Sequence, residues 1–76
     1  VTDYYIVFEY QYDPRNEIPV EVYTDRWNAE SAQLNLQQIR ATAYNKSRAK
    51  SFKEGFAVGE RKTAQDYAHQ YSIKEV

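Results

Sequence analysis

The chain contains no cysteine, which excludes disulfides, thiolate metal sites and thiol redox chemistry. Glycine and proline occur only twice each, and neither falls between Pro19 and Gly55. No apolar run approaches the length of a membrane span, and no basic-then-apolar leader segment is present. Charge of one sign is also missing, with a net of −1. These absences fit a soluble, cytoplasmic chain with no membrane partner. The first residue is Val1 rather than an initiator methionine, which fits a trimmed N-terminus. Seventy-six residues hold one domain (1–76) with one small core. Without covalent staples, stability must come from packing, or from packing plus oligomerisation.

What is present begins with Tyr4-Tyr5-Ile6-Val7-Phe8-Glu9-Tyr10-Gln11-Tyr12, which holds four of the eight tyrosines. Aromatic and β-branched residues suit a pleated, half-buried surface, so this run is expected to be a strand. A second run, Ile18-Pro19-Val20-Glu21-Val22-Tyr23-Thr24-Asp25, follows the turn-like segment Asp13-Pro14-Arg15-Asn16-Glu17. The two most simply form an antiparallel hairpin. Pairing Tyr12 with Ile18 sets Tyr10 opposite Val20, Phe8 opposite Val22 and Ile6 opposite Thr24. With Tyr4 these make one apolar face, expected to be the core. The other face carries Tyr5, Val7, Glu9, Gln11, Glu21, Tyr23 and Asp25, with Glu9 directly opposite Glu21. Pro19 has no amide donor, which places the second strand at an edge or at its own start.

Asn28 is expected to cap a helix over about 29–46, whose apolar positions Ala32, Leu36, Ile39 and Ala43 recur at three- and four-residue intervals. Trp27, just before it, reads as a core plug or staple. Ser51 to Glu60 is compatible with strand or helix. A helical stripe through Ala49, Phe52, Phe56, Gly59 and Thr63, continued by Ala64, Tyr67, Ala68 and Tyr71, favours helix, with a break near 45–51 or at Gly59. Ser72 to Val76 either adds a short third strand or frays. The expected fold class is α+β: a small antiparallel sheet packed on one face by two or three helices, in the order ββαα or ββααβ.

Charge is unevenly spread. Residues 1–30 hold Asp3, Glu9, Asp13, Glu17, Glu21, Asp25 and Glu30 against Arg15 and Arg26, a balance of −5. Residues 40–62 hold Arg40, Lys46, Arg48, Lys50, Lys53, Arg61 and Lys62 against Glu54 and Glu60, a balance of +5. The chain is a charge dipole.

Two surfaces follow as candidate sites. Tyr5, Val7, Glu9, Glu21, Tyr23 and Asp25 combine aromatic contact area with acids that steer a basic protein partner; an ordinary sheet face is the plainer alternative. Arg40, Tyr44, Lys46, Arg48, Lys50 and Lys53 offer cations for phosphates and a ring for base stacking. Their plainer alternative is a solvated helix face, with Phe52 and Phe56 in the core. Gly55 and Gly59 are four apart. Their segment, Phe52-Lys53-Glu54-Gly55-Phe56-Ala57-Val58-Gly59, resembles the Gly-x-x-x-Gly repeats of flagellar export regulators and of oligomerising helices. The resemblance implies close backbone approach, to a helix of this chain or of a second copy, and no activity is carried over from it.

Catalytic groupings are not evident. Glu9 and Glu21 lack accompanying substrate-positioning residues, and His69 with Ser31, Ser47, Ser51 or Ser72 matches no nucleophile motif. His69 is the sole histidine and has no Asp/Glu cluster near it in sequence, so no metal or cofactor is expected. The composite expectation is a non-enzymatic protein-interaction module. It would be a small inhibitor or accessory protein, such as a phage- or mobile-element-encoded modulator of a host protein, with homodimerisation as one mode. Nucleic-acid binding through Arg40 to Lys62 is the alternative.

Overall fold

The computed structural model describes residues 3–11 and 16–76. Tyr12 and the Asp13-Pro14 turn lie outside the described residues. Strand β1 spans Tyr5–Tyr10, β2 Glu17–Tyr23, helix α1 Arg26–Lys53 and β3 Tyr71–Glu75, with a 3₁₀ helix at Ala64–Gln70 before β3. The fold is α+β in the order ββαβ. A three-stranded antiparallel sheet, ordered β2-β1-β3, packs against one long helix. The expected second α-helix is absent from the described residues: its segment divides into irregular backbone (56–63) and the 3₁₀ turns.

Helix α1 starts earlier and ends later than its apolar spacing implies. Asp25, not Asn28, is the N-cap: its carboxylate accepts from the Asn28 amide at 3.1 Å and from the Asn28 side chain at 2.7 Å. No breaker then intervenes until Gly55. That residue adopts φ +89°, a left-handed conformation that costs glycine little. The Phe56 amide donates to the Ser51 carbonyl and the Gly55 amide to the Phe52 carbonyl, the paired bonds of a Schellman stop. Gly55 and Gly59 therefore do not share a helical face. Gly55 ends the helix, and Gly59 lies in the returning segment, where the Tyr44 hydroxyl occupies the space beside its Cα.

That returning segment is tied to the distal half of α1. The Asn45 side chain donates to the Lys62 carbonyl at 2.7 Å and accepts from the Lys62 amide at 2.8 Å. Arg48 donates to the Gly59 carbonyl, and Gln37 to the Ala64 carbonyl at 2.9 Å. Asp66 then accepts from the Thr63 amide at 2.7 Å, fixing the start of the 3₁₀ helix.

In the sheet, Tyr5 pairs with Tyr23, Ile6 with Val22 and Val7 with Glu21. The register then shifts, so that Phe8 faces Pro19, Glu9 faces Ile18 and Tyr10 faces Glu17. Val20 is the extra residue of this bulge, next to the proline that cannot donate to the ladder. The observed pairing differs from the one that sets Tyr10 opposite Val20, and Glu9 and Glu21 do not oppose each other. On the other side of β1, Val7 faces Ile73 and Glu9 faces Tyr71.

The sheet face that α1 covers is also the reverse of the expected one. Val7 is 0% exposed, and the buried core is Val7, Ala29, Ala41 and Tyr71, with Gln37. The covered face thus carries Tyr5, Val7 and Glu9, while Tyr4, Ile6, Phe8 and Tyr10 face outward. Strand β3 follows the same division: its alternation adds Tyr71 and Ile73 to the covered face and Ser72 and Lys74 to the outer one.

Candidate interaction surfaces

The residues expected to form a free tyrosine- and acid-bearing face are placed under or beside α1. Val7 is buried and Tyr5 half-buried. Glu9 accepts an ion pair from Arg40 at 2.9 Å and lies 3.5 Å from the Tyr71 hydroxyl. Burial pushes the Tyr71 hydroxyl pKa up, the Glu9 charge adds to that, and Arg40 partly offsets it. Glu21 accepts from the Tyr23 hydroxyl at 2.8 Å, which raises the tyrosine's pKa because the neutral donor is favoured. Asp25 caps the helix. Five of these six residues belong to the helix-covered side of the sheet, and the sixth to the helix start.

The basic candidates divide. Arg40 is engaged by Glu9 and by the Gln70 side chain at 2.5 Å. Arg48 holds the Gly59 carbonyl. Tyr44 lies under the Lys62 ammonium, 4.7 Å from the ring centroid, and Tyr67 lies 5.4 Å from the same charge. These contacts bind the returning segment to the helix. Lys46, Lys50 and Lys53 remain exposed, at four- and three-residue spacing along one side of α1. Phe52 and Phe56, expected in the core, are exposed, and so is Trp27, at 75%. An open depression lies between Arg40, Ala43, Tyr44 and Tyr67.

The sheet's outer face is a surface the sequence reading assigned to the core. Tyr4 exchanges backbone hydrogen bonds with Val76 beyond the end of β1. The rows then run Tyr4 with Val76, Ile6 with Val22 and Lys74, Phe8 with Pro19 and Ser72, and Tyr10 with Glu17. Val22 is 57% exposed, and Tyr4 and Val76 are exposed as well. Lys74 reaches across β1 to pair with Glu17 on the far strand, passing 5.0 Å from the Phe8 ring centroid. The Glu17 hydrogen bond raises the Lys74 pKa. Among the described residues the surface is an apolar field of tyrosine, valine, isoleucine and phenylalanine crossed by the Lys74–Glu17 ion pair. The alternation of Tyr71-Ser72-Ile73-Lys74 was the signal in the sequence that could have identified it.

Among the described residues, no group of three His, Cys, Asp or Glu side chains is placed to hold a metal ion. No helix among them is long and apolar enough to cross a membrane. Comparison with protein-family models, curated proteins and solved structures found no match.

Proposed function

We propose that this chain is a non-enzymatic protein-interaction module, a small accessory or inhibitory protein of the cytoplasm, which engages a partner protein through the outer face of its sheet. The observation that carries this reading is the apolar set Tyr4, Ile6, Phe8, Tyr10, Val22 and Val76 on a face that α1 leaves open. Tyrosine and phenylalanine supply large contact area at low entropic cost, and exposed apolar patches rimmed by charge are characteristic of interaction sites. The Glu17–Lys74 pair gives such a partner one cation and one anion to read for orientation.

The test is capture of a partner by the purified wild-type chain, followed by direct titration of that partner with Val22→Glu and Phe8→Ala. Both variants are expected to keep the wild-type circular dichroism spectrum and to lose binding. Binding unchanged in both would overturn this reading.

A narrower form of the nucleic-acid reading draws support from the exposed row Lys46, Lys50 and Lys53. With Arg40 and Arg48 held in internal contacts, three cations give modest, strongly salt-dependent affinity. Changing the three lysines to glutamine should abolish a low-salt mobility shift. No shift with the wild-type chain excludes that reading.

A further inference from the structure

The chain exposes 5849 Å², whereas a folded monomer of its mass, 9.0 kDa, is expected to expose about 4,900 Å². Its radius of gyration is 15.1 Å, against about 11 Å for a compact domain of this length. The excess surface is on the order of 1,000 Å², close to what each partner gives up in a standard interface. Helix α1 is about 42 Å long at 1.5 Å per residue, in a molecule 54 Å by 24 Å by 15 Å.

The helix packs inward through Ala29, Gln33, Gln37, Arg40, Ala41 and Tyr44, of which Gln33, Gln37 and Arg40 hydrogen-bond to the elements beneath. The four-three-four row Ala32, Leu36, Ile39, Ala43 lies about 100° around the helix from that face. Ala32 and Leu36 are half-buried, Ala43 is exposed and Ile39 is 56% exposed. The same side continues as Lys46, Lys50 and Lys53.

We infer that α1 pairs antiparallel with α1 of a second copy across a two-fold axis between Leu36 and Ile39. Leu36 then meets the partner's Ile39, and Ala32 the partner's Ala43, where small side chains let the helices approach closely. Charge selects this direction. A parallel pair sets Lys46, Lys50 and Lys53 against their own copies. The antiparallel pair brings Lys50 to the partner's Asp25 and the basic end of each chain to the acidic end of the other. The self-complementary patch is the form that a two-fold dimer requires. It uses a surface separate from the outer sheet face, so the two readings stand or fall independently.

The test uses sedimentation equilibrium and oxidative cross-linking, clean here because the native chain has no cysteine. The wild-type chain is expected to sediment at twice its chain mass at low micromolar concentration. Ile39→Glu should be monomeric with unchanged helicity, and Lys50→Glu should weaken the dimer several-fold and reduce its salt dependence. The double variant Ala32→Cys with Ala43→Cys should oxidise to a covalent dimer, while each single variant should not. Within one chain those positions are about 16 Å apart along the helix, too far for an internal disulfide. A wild-type monomer at low salt would overturn the inference. So would single variants that cross-link as readily as the double variant, and this second readout does not depend on how Ile39→Glu folds.

Discussion

Arg40 reaches the Glu9 carboxylate at 2.9 Å, from the middle of the helix to the central strand of the sheet. Each residue belongs to a surface that sequence reasoning offers to an outside partner, Glu9 to a protein and Arg40 to a phosphate. In the folded chain they satisfy each other. Glu9 is 16% exposed and Arg40 40%, so the pair is shielded enough to matter for stability but not fully desolvated. It also marks which face of the sheet the helix covers.

Removing either partner leaves the other poorly matched. Glu9→Gln and Arg40→Gln should each destabilise the fold by about 1–3 kcal/mol, read as a fall in urea midpoint at fixed protein concentration. The double variant should lose less than the sum, because the second change removes a partner already unpaired. Additive losses would show that the two side chains do not interact.

Alkaline pH should act through Tyr23, Tyr71 and Lys74, whose pKa values are all raised on folding. A raised folded-state pKa contributes stability that is complete below the unfolded value, about 10 for tyrosine and about 10.4 for lysine. That stability is lost as pH rises through the folded-state value. Stability is therefore expected to hold from neutral to mildly alkaline pH and to decline beyond about pH 10. Tyr71→Phe, which has no hydroxyl to ionise beside Glu9, should decline less steeply. An identical alkaline slope in the two proteins would contradict this origin.

Asn45 holds both backbone groups of Lys62, the chief restraint on a segment with no regular structure. Asn45→Ala should cost about 1–2 kcal/mol and speed hydrogen exchange at the Lys62 amide more than at amides in β1. Exchange at Lys62 that is unchanged by the substitution would argue against the restraint.

The two glycines should behave differently. Gly55→Ala forces an alanine into φ +89° and should cost about 1–2 kcal/mol. Gly59→Ala meets only the Tyr44 hydroxyl, 3.2 Å from the added carbon, at the far end of a side chain that can rotate away. Its effect on thermal stability should be the smaller of the two. The reverse ranking would mean that the Schellman stop does not govern where α1 ends.

Local features of the fold were legible in the sequence where local chemistry decides them. The Tyr5–Tyr10 strand, the β2 edge marked by Pro19 and the long glycine-free helix each follow from side-chain type and spacing. The C-terminal strand was one of two readings of Ser72 to Val76. Which sheet face the helix covers was not legible from the hairpin alone. On β1 and β2, Tyr4, Ile6, Phe8 and Tyr10 form the more apolar set and yet face outward, while Tyr71 and Ile73, on a strand more than sixty residues from β1 in sequence, join the Val7 side. The helix stripe misled for a related reason. Its inward face uses Ala29, Gln33, Gln37, Arg40 and Ala41, whose glutamines and arginine hydrogen-bond downward, while the more apolar Leu36 and Ile39 lie to one side. A periodicity count cannot separate a core-facing row from one left for a partner.

The assignment of the two sheet faces underlies the proposed binding surface, and cysteine accessibility in an otherwise cysteine-free chain tests it most directly. A Val7→Cys thiol, at a position 0% exposed, should resist alkylation under native conditions and react only on unfolding. A Val22→Cys thiol, at a position 57% exposed, should react at close to the rate of a free thiol. Rapid labelling at residue 7 with protection at residue 22 would place the helix on the opposite face of the sheet and remove the basis for the outer-face site.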